Sequence, residues 1–328
     1  MDYKRIFIVT MVTTVLLLVA LGAFVGIIDP YQQYHSRVDA YCGNQRSEIG
    51  GVARNHDYDA IITGSSMSMN HYPEQVDSLW GWKTKNFSIM GATFDDYEKI
   101  LPFVISQGKV KNIILNIDVF SFARERGAVP EYLYDDNIWN DYEYLYNYTS
   151  LESAINYIRN PLPEKDIYHF SSPANRNALK EKYRLLSSGD SYEGEVYDFS
   201  RLCECFDESL LKIFKENNGN IKWWVYFPPY SIGEFMLLYK YGDLDSFMKF
   251  KKYAINSMLG FPCVKVYDFQ VAPWINNLDE YMDVRHHSHK YNRNIIKSIY
   301  EGKYEIKEYT PESEMALKLM VEQYKDSL

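Results

Sequence analysis

Cysteine and clusters of basic residues are both scarce in this sequence. The 328 residues include only four cysteines, so the chain is not a disulfide-stapled miniprotein. Its 35 lysines and arginines are outnumbered by 44 aspartates and glutamates, which gives a net charge of −9, and no run of basic residues is longer than three. Nucleic-acid binding through a basic face is therefore not expected.

The chain does contain enough apolar residues for a folded core, together with many tyrosines. Hydrophobic residues make up 46% of it and charged residues 24%, close to the average for globular proteins. Its 30 tyrosines are about three times the common usage. These rings could fill half-buried faces of a large core, or they could form a sugar-contacting surface, because aromatic rings stack on apolar sugar faces while hydroxyls form hydrogen bonds. The sequence leaves both interpretations open.

An uncharged stretch near the N-terminus predicts a membrane anchor. Residues 6–28 carry no charged side chain, and at about 1.5 Å per residue a helix of this length spans the roughly 30 Å of a bilayer core. Lys4 and Arg5 precede it and Asp29 follows it, so the positive-inside rule places the N-terminus in the cytoplasm. A cleaved signal peptide is the alternative, although the run is long for one and no A-x-A site ends it. The predicted parts are a cytoplasmic N-terminus, a single transmembrane helix and a domain facing the periplasm or cell exterior, at residues 1–5, 6–28 and 29–328.

The rest of the chain has the pattern of an α/β fold. Short apolar runs rich in β-branched and aromatic residues predict buried strands, at residues 59–63, 85–89, 110–118, 221–227 and 264–269. Helical stretches lie between the strands, for example at residues 95–107, 209–217 and 247–258. This alternation predicts a parallel sheet with helices on both faces. A long interval at residues 124–207 predicts a helical insertion or lid, and Thr310-Pro311 predicts the start of a final helix.

A hydroxyl-rich turn and a distant cluster of histidines indicate where chemistry could occur. Gly64-Ser65-Ser66 follows the first predicted strand, at the sheet edge where open α/β proteins place their active sites. Asp283-Val-Arg-His286 lies beyond the last predicted strand, and its spacing lets the carboxylate and the imidazole converge. A serine, a histidine and an orienting carboxylate are the parts of a nucleophilic relay. The alternative is a metal site formed by Asp283 with three histidines, His286, His287 and His289.

Taken in order, three short motifs resemble those of the SGNH/GDSL hydrolase superfamily. They are Gly64-Ser65-Ser66 after strand one, Asn86-Phe-Ser88-Ile-Met-Gly91 after strand two and Asp283-x-x-His286 near the C-terminus. The anchor, the Asp29-Pro30-Tyr31 juncture and the segment Phe227-Pro228-Pro229-Tyr230-Ser231 are similar to the cell-envelope branch, which includes the DltD-like and alginate-acetylation-type proteins. The resemblance spans most of residues 29–300. It implies a three-layer α/β sandwich with a mostly parallel, flavodoxin-like central sheet, preceded by one transmembrane helix.

The resemblance also implies catalytic roles. Ser66, the third residue of the G-x-S element, would be the nucleophile, and Ser65 is its competitor for that role. His286 would be the base and Asp283 would orient it.

An oxyanion hole is implied in the same way. Backbone N–H groups of Ser66 and Gly91 would contribute to it. The third donor of the family is an asparagine in a G-x-N-D turn after strand three. This chain instead reads Leu115-Asn116-Ile117-Asp118, so Asn116 is the candidate third donor within an altered motif.

Other polar residues have two interpretations each. Pro228-Pro229 would stiffen a loop that presents Tyr230 and Ser231 either as an acceptor-binding wall, hence as substrate-binding residues, or as part of a rigid turn. Arg285 is expected to pair with a surface carboxylate, the alternative being an anionic substrate. Polar residues around the first strand are expected on the surface, namely His56, Asp57 and His71.

The leading hypothesis is a membrane-anchored serine ester hydrolase or O-acyltransferase that acts on cell-envelope polysaccharide through an acyl-enzyme. No cofactor or metal is expected for it, and its expected partners are the polysaccharide or acyl donor, the membrane and a membrane-bound acyltransferase. The alternatives are a non-catalytic glycan- or partner-binding protein with the same fold, and the metal-dependent hydrolase.

Overall fold

The structure, a computed structural model, describes residues 3–36, 44–124, 127–135, 137–159 and 197–324. It confirms the α/β class. The described strands form one six-stranded sheet in the order β2-β1-β3-β4-β5-β6, in which the first five are parallel and the sixth is antiparallel. The strands are β1 (Ala60–Gly64), β2 (Thr84–Ser88), β3 (Asn112–Asn116), β4 (Lys222–Phe227), β5 (Val264–Asp268) and β6 (Glu305–Ile306).

Helices connect these strands. In chain order they are α1 (Tyr3–Ile28), α2 (Gln45–Asn55), α3 (Ser66–Met69), α4 (Pro73–Trp80), α5 (Phe94–Ser106), α6 (Phe120–Ala123), α7 (Tyr142–Leu145), α8 (Tyr148–Arg159), α9 (Phe199–Phe206), α10 (Lys212–Glu216), α11 (Ile232–Tyr241), α12 (Leu244–Leu259), α13 (His289–Tyr300) and α14 (Pro311–Tyr324). A π-helical turn joins α9 to α10, at Asp207–Leu211. Short 3₁₀ turns complete the description, at Glu131–Leu133, Ile138–Asn140, Pro273–Asn276 and Leu278–Glu280.

The chain divides into two compact units, of which the larger comprises Asp57–Gly127 and Asp166–Leu328. It contains the whole sheet. All five residues of β1 and of β3 are buried, as expected for parallel strands covered by helices. Ile62 of β1 packs in a cluster with residues of α4 and α13, whereas Ile61 adjoins residues of α5.

The register of the sheet brings the carboxyl ends of the strands together. Gly64 of β1 pairs with Ser88 of β2, and Asn116 of β3 pairs with Tyr226 of β4. The chain crosses from β1 to β2 on one side and then to β3 on the other, so the sheet reverses its direction of winding between β1 and β3. In open α/β sheets the crevice at such a reversal is where ligands bind.

The smaller unit comprises Met1–His56 and Ala128–Lys165. Its core includes Val25 of α1, Tyr31, Leu133 and Tyr144 of α7. Asp29, which follows α1, is fully buried, and its carboxylate accepts the backbone N–H groups of residues 33–35 and the hydroxyl of Tyr144. This network fixes the turn in which the chain leaves α1.

Helix α1 has the properties of a membrane span. It is 26 residues long, an 18-residue stretch of it has a mean hydropathy of 2.6, and among the described residues it is the helix that is long and apolar enough to cross a bilayer. Most of its large apolar side chains are exposed.

The observed elements differ from the predicted ones in a few places. Each predicted strand is present with ends shifted by up to two residues, and α14 begins at Pro311 as expected. The sixth strand was missed because its two residues, Glu305–Ile306, are too short to show a pattern. The predicted helix at 209–217 is the end of a longer helical run that begins at Phe199. Within the predicted insertion, residues 160–196 lie outside the described residues.

Candidate active site

The turn after β1 places two serines at the carboxyl edge of the sheet. Gly64 ends β1 with a φ of 135°, which side-chain-bearing residues rarely adopt, and a Cβ at this position would collide with Oδ1 of Asn116. Ser65 is the N-cap of α3, because its buried Oγ accepts the backbone N–H of Met67 at 3.2 Å. Ser66 is therefore the first residue of α3 and is only half-buried.

Ser66, His286 and Asp283 form a continuous hydrogen-bond chain, although 220 positions separate the serine from the histidine. Ser66 Oγ lies 2.8 Å from His286 Nε2, and His286 Nδ1 lies 2.8 Å from Asp283 Oδ2. The other carboxylate oxygen accepts the backbone N–H groups of Arg285 and His286, at 2.8 and 2.7 Å. The four-residue turn thus orients both the carboxylate and the imidazole.

The charge state of Asp283 suits its role as the hydrogen-bond acceptor of the His286 ring. Burial alone would raise the pKa of Asp283, but hydrogen bonds from the His286 ring and from two backbone N–H groups bring the pKa well below its ordinary value. An ionised carboxylate can accept the Nδ1 proton, and in that tautomer Nε2 is free to accept from the Ser66 hydroxyl. The side chains of His286 and Asp283 are each 23% exposed, so the His286 ring is reachable from solvent.

The start of α11 holds the turn that carries the base. Ser231 donates from its backbone N–H and from its hydroxyl to the Val284 carbonyl oxygen, at 3.0 and 2.7 Å. The Arg285 guanidinium lies 3.2 Å from the carboxylate of Glu234, whose side chain is fully buried, and stacks over the Phe120 ring at 3.0 Å from its centroid. Separating a buried ion pair is unfavourable because it leaves an uncompensated charge. This pair therefore holds the turn against α11.

These contacts correct the predicted roles of Tyr230 and Ser231. Tyr230 is 0% exposed and donates its hydroxyl to Asp118 Oδ1 at 2.5 Å, and Ser231 is 1% exposed. Burial and the neighbouring Asp118 raise the pKa of Tyr230, so its hydroxyl stays a donor. Both residues support the site from within and do not form an acceptor-binding wall. The partner of Arg285 is likewise buried, not a surface carboxylate.

Asn116 ends β3 and contacts the Gly64-Ser65-Ser66 turn directly. Its Oδ1 accepts the backbone N–H of Ser65 at 2.7 Å, which fixes the orientation of the amide. Its Nδ2 is buried and has no hydrogen-bond partner among the described residues. Because an unsatisfied buried donor costs about 1–3 kcal/mol, this amide is suited to meet an acceptor such as a developing oxyanion.

Gly91 lies at the same edge of the sheet, in the turn after β2. The turn after β2 begins beside the turn after β1, since the backbone N–H of Ile89 donates to the Gly64 carbonyl oxygen at 2.9 Å. Gly91 has a φ of 59°, which glycine adopts without strain. The three residues predicted for the oxyanion hole, Ser66, Gly91 and Asn116, therefore follow or end three neighbouring strands.

Two further histidines are buried next to the hydrogen-bond chain. His71 was expected on the surface, but it is 3% exposed and its Nε2 lies 2.6 Å from the Tyr226 hydroxyl. His287 is 4% exposed and lines a cavity of about 10 Å³ that also borders Ser66 and His286. Burial lowers the pKa of each to about 3, assisted by the charge of a neighbouring histidine.

We expect His71 and His287 to stay neutral as the pH falls well below 6.5, the ordinary pKa of histidine. The unfolded chain takes up protons near pH 6.5, whereas the folded chain takes them up only near pH 3. The stability that the two neutral histidines give to the folded state is therefore complete above pH 6.5. It is lost as the pH falls, at up to about 1.4 kcal/mol of unfolding free energy per pH unit for each histidine. Nuclear magnetic resonance titration of the ring signals tests this, and midpoints near 6.5 would contradict it. In His71→Phe the slope of unfolding free energy against pH between pH 6.5 and 5 should fall, by at most about 1.4 kcal/mol per pH unit.

The alternative metal site lacks a converging donor set. His286 contacts Ser66 and Asp283, whereas His289 Nδ1 lies 3.1 Å from the Tyr72 hydroxyl. Within the part of the chain that the structure describes, no group of three or more histidine, cysteine, aspartate or glutamate side chains is arranged to hold a metal ion.

Sequence reasoning missed Glu234 and the structural role of Asp118. Both carboxylates are buried at the carboxyl side of the sheet. Glu234 belongs to no motif, and Asp118 was considered only as the last residue of the altered Leu115-Asn116-Ile117-Asp118 motif. A further signal for Asp118 was its position at the end of the predicted buried strand at residues 110–118.

Comparisons with known proteins add no family to this picture. No protein-family model matches the chain, and no curated protein matches it. Inference about function therefore starts from the geometry of the site.

Proposed function

We propose that this protein is a serine ester hydrolase or O-acyltransferase of SGNH type that works through an acyl-enzyme on Ser66. The observation that carries the proposal is the hydrogen-bond chain Ser66–His286–Asp283, with 2.8 Å at each side-chain link. These hydrogen bonds join the nucleophile, general base and orienting carboxylate that acyl transfer requires, in the correct order.

The geometry supports a two-step reaction. Ser66 Oγ attacks the ester carbonyl carbon while its proton passes to His286 Nε2, and the resulting oxyanion meets donors at the sheet edge, for which Asn116 Nδ2 is available. His286 then returns the proton to the departing alcohol as the C–O bond breaks. In the second step water or a sugar hydroxyl attacks the acyl-enzyme, His286 takes its proton, and that proton returns to Ser66. Water as acceptor gives hydrolysis, and a sugar hydroxyl gives transfer.

The fold agrees with this assignment. The order of β2-β1-β3-β4-β5 is that of flavodoxin-like doubly wound sheets, and the relay lies beside their ligand-binding reversal point. Helices adjoin both faces of β1, since Ile62 meets α4 and α13 and Ile61 meets α5. These features support a three-layer sandwich of the kind that the superfamily has.

The location follows from α1. In our proposal α1 crosses the membrane with Lys4 and Arg5 on the cytoplasmic side, so the active site faces the periplasm or cell exterior. Cell-envelope polysaccharide is the proposed substrate, on the resemblance to the cell-envelope branch of the superfamily. A membrane-bound acyltransferase is the proposed partner that supplies or receives the acyl group.

Labelling with a serine-directed fluorophosphonate tests the proposal. The full-length protein in detergent should form a covalent adduct, because the reagent imitates the tetrahedral intermediate at an activated serine. Ser66→Ala should lose the adduct completely. Ser65→Ala is the matched control and should keep it, since Ser65 is buried as a helix cap and its side chain does not reach His286.

Two outcomes would contradict the proposal. Labelling that persists in Ser66→Ala would move the nucleophile elsewhere. Absence of labelling in the unaltered protein, with the fold intact by circular dichroism, would favour the non-catalytic glycan- or partner-binding protein.

A further inference from the structure

Large apolar side chains are unusually exposed at residues 138–148 of the smaller unit. Trp139 is 84% exposed, Tyr148 76%, Ile138 73%, Tyr142 61% and Tyr146 46%. We call these five residues the aromatic patch. Contiguous exposed apolar surface of this kind marks an interaction site, because water solvates it poorly.

The aromatic patch lies next to the last two turns of α1. The Tyr146 hydroxyl sits against Gly22, so closely that a Cβ there would be 2.7 Å from it, and Leu145 packs at Gly26. Tyr142 lies four residues before Tyr146 and so on the same face of this short helical segment. Trp139 belongs to the 3₁₀ turn that directly precedes α7.

The length of α1 sets the depth of this contact. Residues 6–28 span about 34 Å, whereas the hydrocarbon core is about 30 Å thick. Gly22 lies six residues before Ile28, which is about 9 Å along the helix. If α1 crosses a bilayer with the excess length shared between its two ends, Gly22 and the Tyr146 hydroxyl lie about 7 Å on the acyl-chain side of the outer boundary, within the roughly 5–10 Å to which interfacial segments insert.

The composition of the segment fits a lipid interface. Tryptophan and tyrosine are enriched at this boundary, where the ring is in apolar surroundings and the polar atom is hydrated. Residues 128–158 contain no lysine or arginine and six acidic residues. Attraction to anionic headgroups is thus not the driving force, and burial of rings is.

We propose that the aromatic patch docks into the outer-leaflet interface of the membrane that α1 crosses, so that residues 138–148 form a second, peripheral membrane contact. The inference rests on the proposed membrane anchoring and is independent of the acyl-transfer chemistry. Its occupant is lipid because the patch continues the exposed apolar surface of α1 at interfacial depth.

Quenching of tryptophan fluorescence by brominated lipids tests this. The full-length protein is reconstituted in phosphatidylcholine vesicles with bromine near the ester end or near the methyl end of the acyl chains. The contribution of Trp139 is the difference between the unaltered protein and Trp139→Phe. We expect this emission to be lost with shallow bromines and largely kept with deep ones, and to be insensitive to a roughly tenfold rise in salt. Trp223→Phe is the matched control, since Trp223 is 1% exposed in the core and should show no difference in quenching.

Three results would overturn the proposal. Trp139 emission that bromine does not quench but aqueous iodide does would place the patch in water. Emission protected from both quenchers would indicate a protein partner or a second copy of the chain. If the protein did not remain with the vesicles after alkaline washing, α1 would not be a membrane anchor and the proposal would lose its basis. Fluorophosphonate labelling of the same vesicles reports the state of the catalytic site separately, so failure of one proposal is distinguishable from failure of the other.

Discussion

Replacing His286 with alanine should lower the rate of hydrolysis of a small aryl acetate by about 10⁴- to 10⁶-fold. Ser66 loses the only base within hydrogen-bond reach in the described site, because Nε2 of His286 is the atom 2.8 Å from its hydroxyl. Without it the serine attacks as a neutral alcohol, and no base takes the proton of the water that attacks the acyl-enzyme. Initial rates at saturating ester would measure the fall in kcat.

Two variants sharpen this test. Asp283→Asn should also reduce kcat, by about 10⁴-fold, because an amide no longer holds Nδ1–H of the imidazole as a proton donor. His289→Ala is the control, since His289 contacts Tyr72 and should leave the rate nearly unchanged. Retention of full activity in His286→Ala would exclude this histidine from the mechanism.

Changing Asn116 to aspartate should reduce kcat by about 10²- to 10³-fold, the usual effect of removing one oxyanion donor. The substitution keeps a side-chain oxygen to accept the Ser65 N–H and replaces the unpartnered Nδ2 by a second acceptor. An ionised carboxylate cannot donate, and its charge repels the developing oxyanion. The loss should therefore fall on kcat more than on KM.

A companion variant separates catalysis from folding. Asn116→Ala should lose both the donor and the contact with Ser65 without placing a charge in the buried site, and urea unfolding of both variants shows how much of each loss of activity comes from lost stability. If Asn116→Asp hydrolyses the ester at the original rate, the third oxyanion donor is a different group and the altered motif of this chain has another role.

The residues that could be predicted from the sequence are those fixed by local pattern. Strands β1 and β3 are built on short apolar runs, and the Asp283 to His286 spacing lets the carboxylate and the imidazole meet within one turn. The meeting of the Asp283 to His286 turn with Ser66 followed from topology, because the carboxyl ends of parallel strands share one edge of the sheet.

The failed predictions concern burial of polar groups. Tyr230, Ser231 and His71 are residue types that usually lie near the surface, but each is buried with a specific partner, namely Asp118, Val284 and Tyr226. Those partners are distant in sequence, so no local pattern encodes them. Glu234 was missed for the same reason: its partner Arg285 is brought to it only by the tertiary fold.

The 220 positions between Ser66 and His286 have a consequence for when the proposed activity can begin. A polypeptide that leaves the ribosome N-terminus first exposes Ser66 long before the segment with His286 exists. In the proposed mechanism the serine is an ordinary alcohol until that segment has folded, because no base is yet in place to take its proton. Incomplete chains, which lack His286, should therefore not react with activated acyl groups.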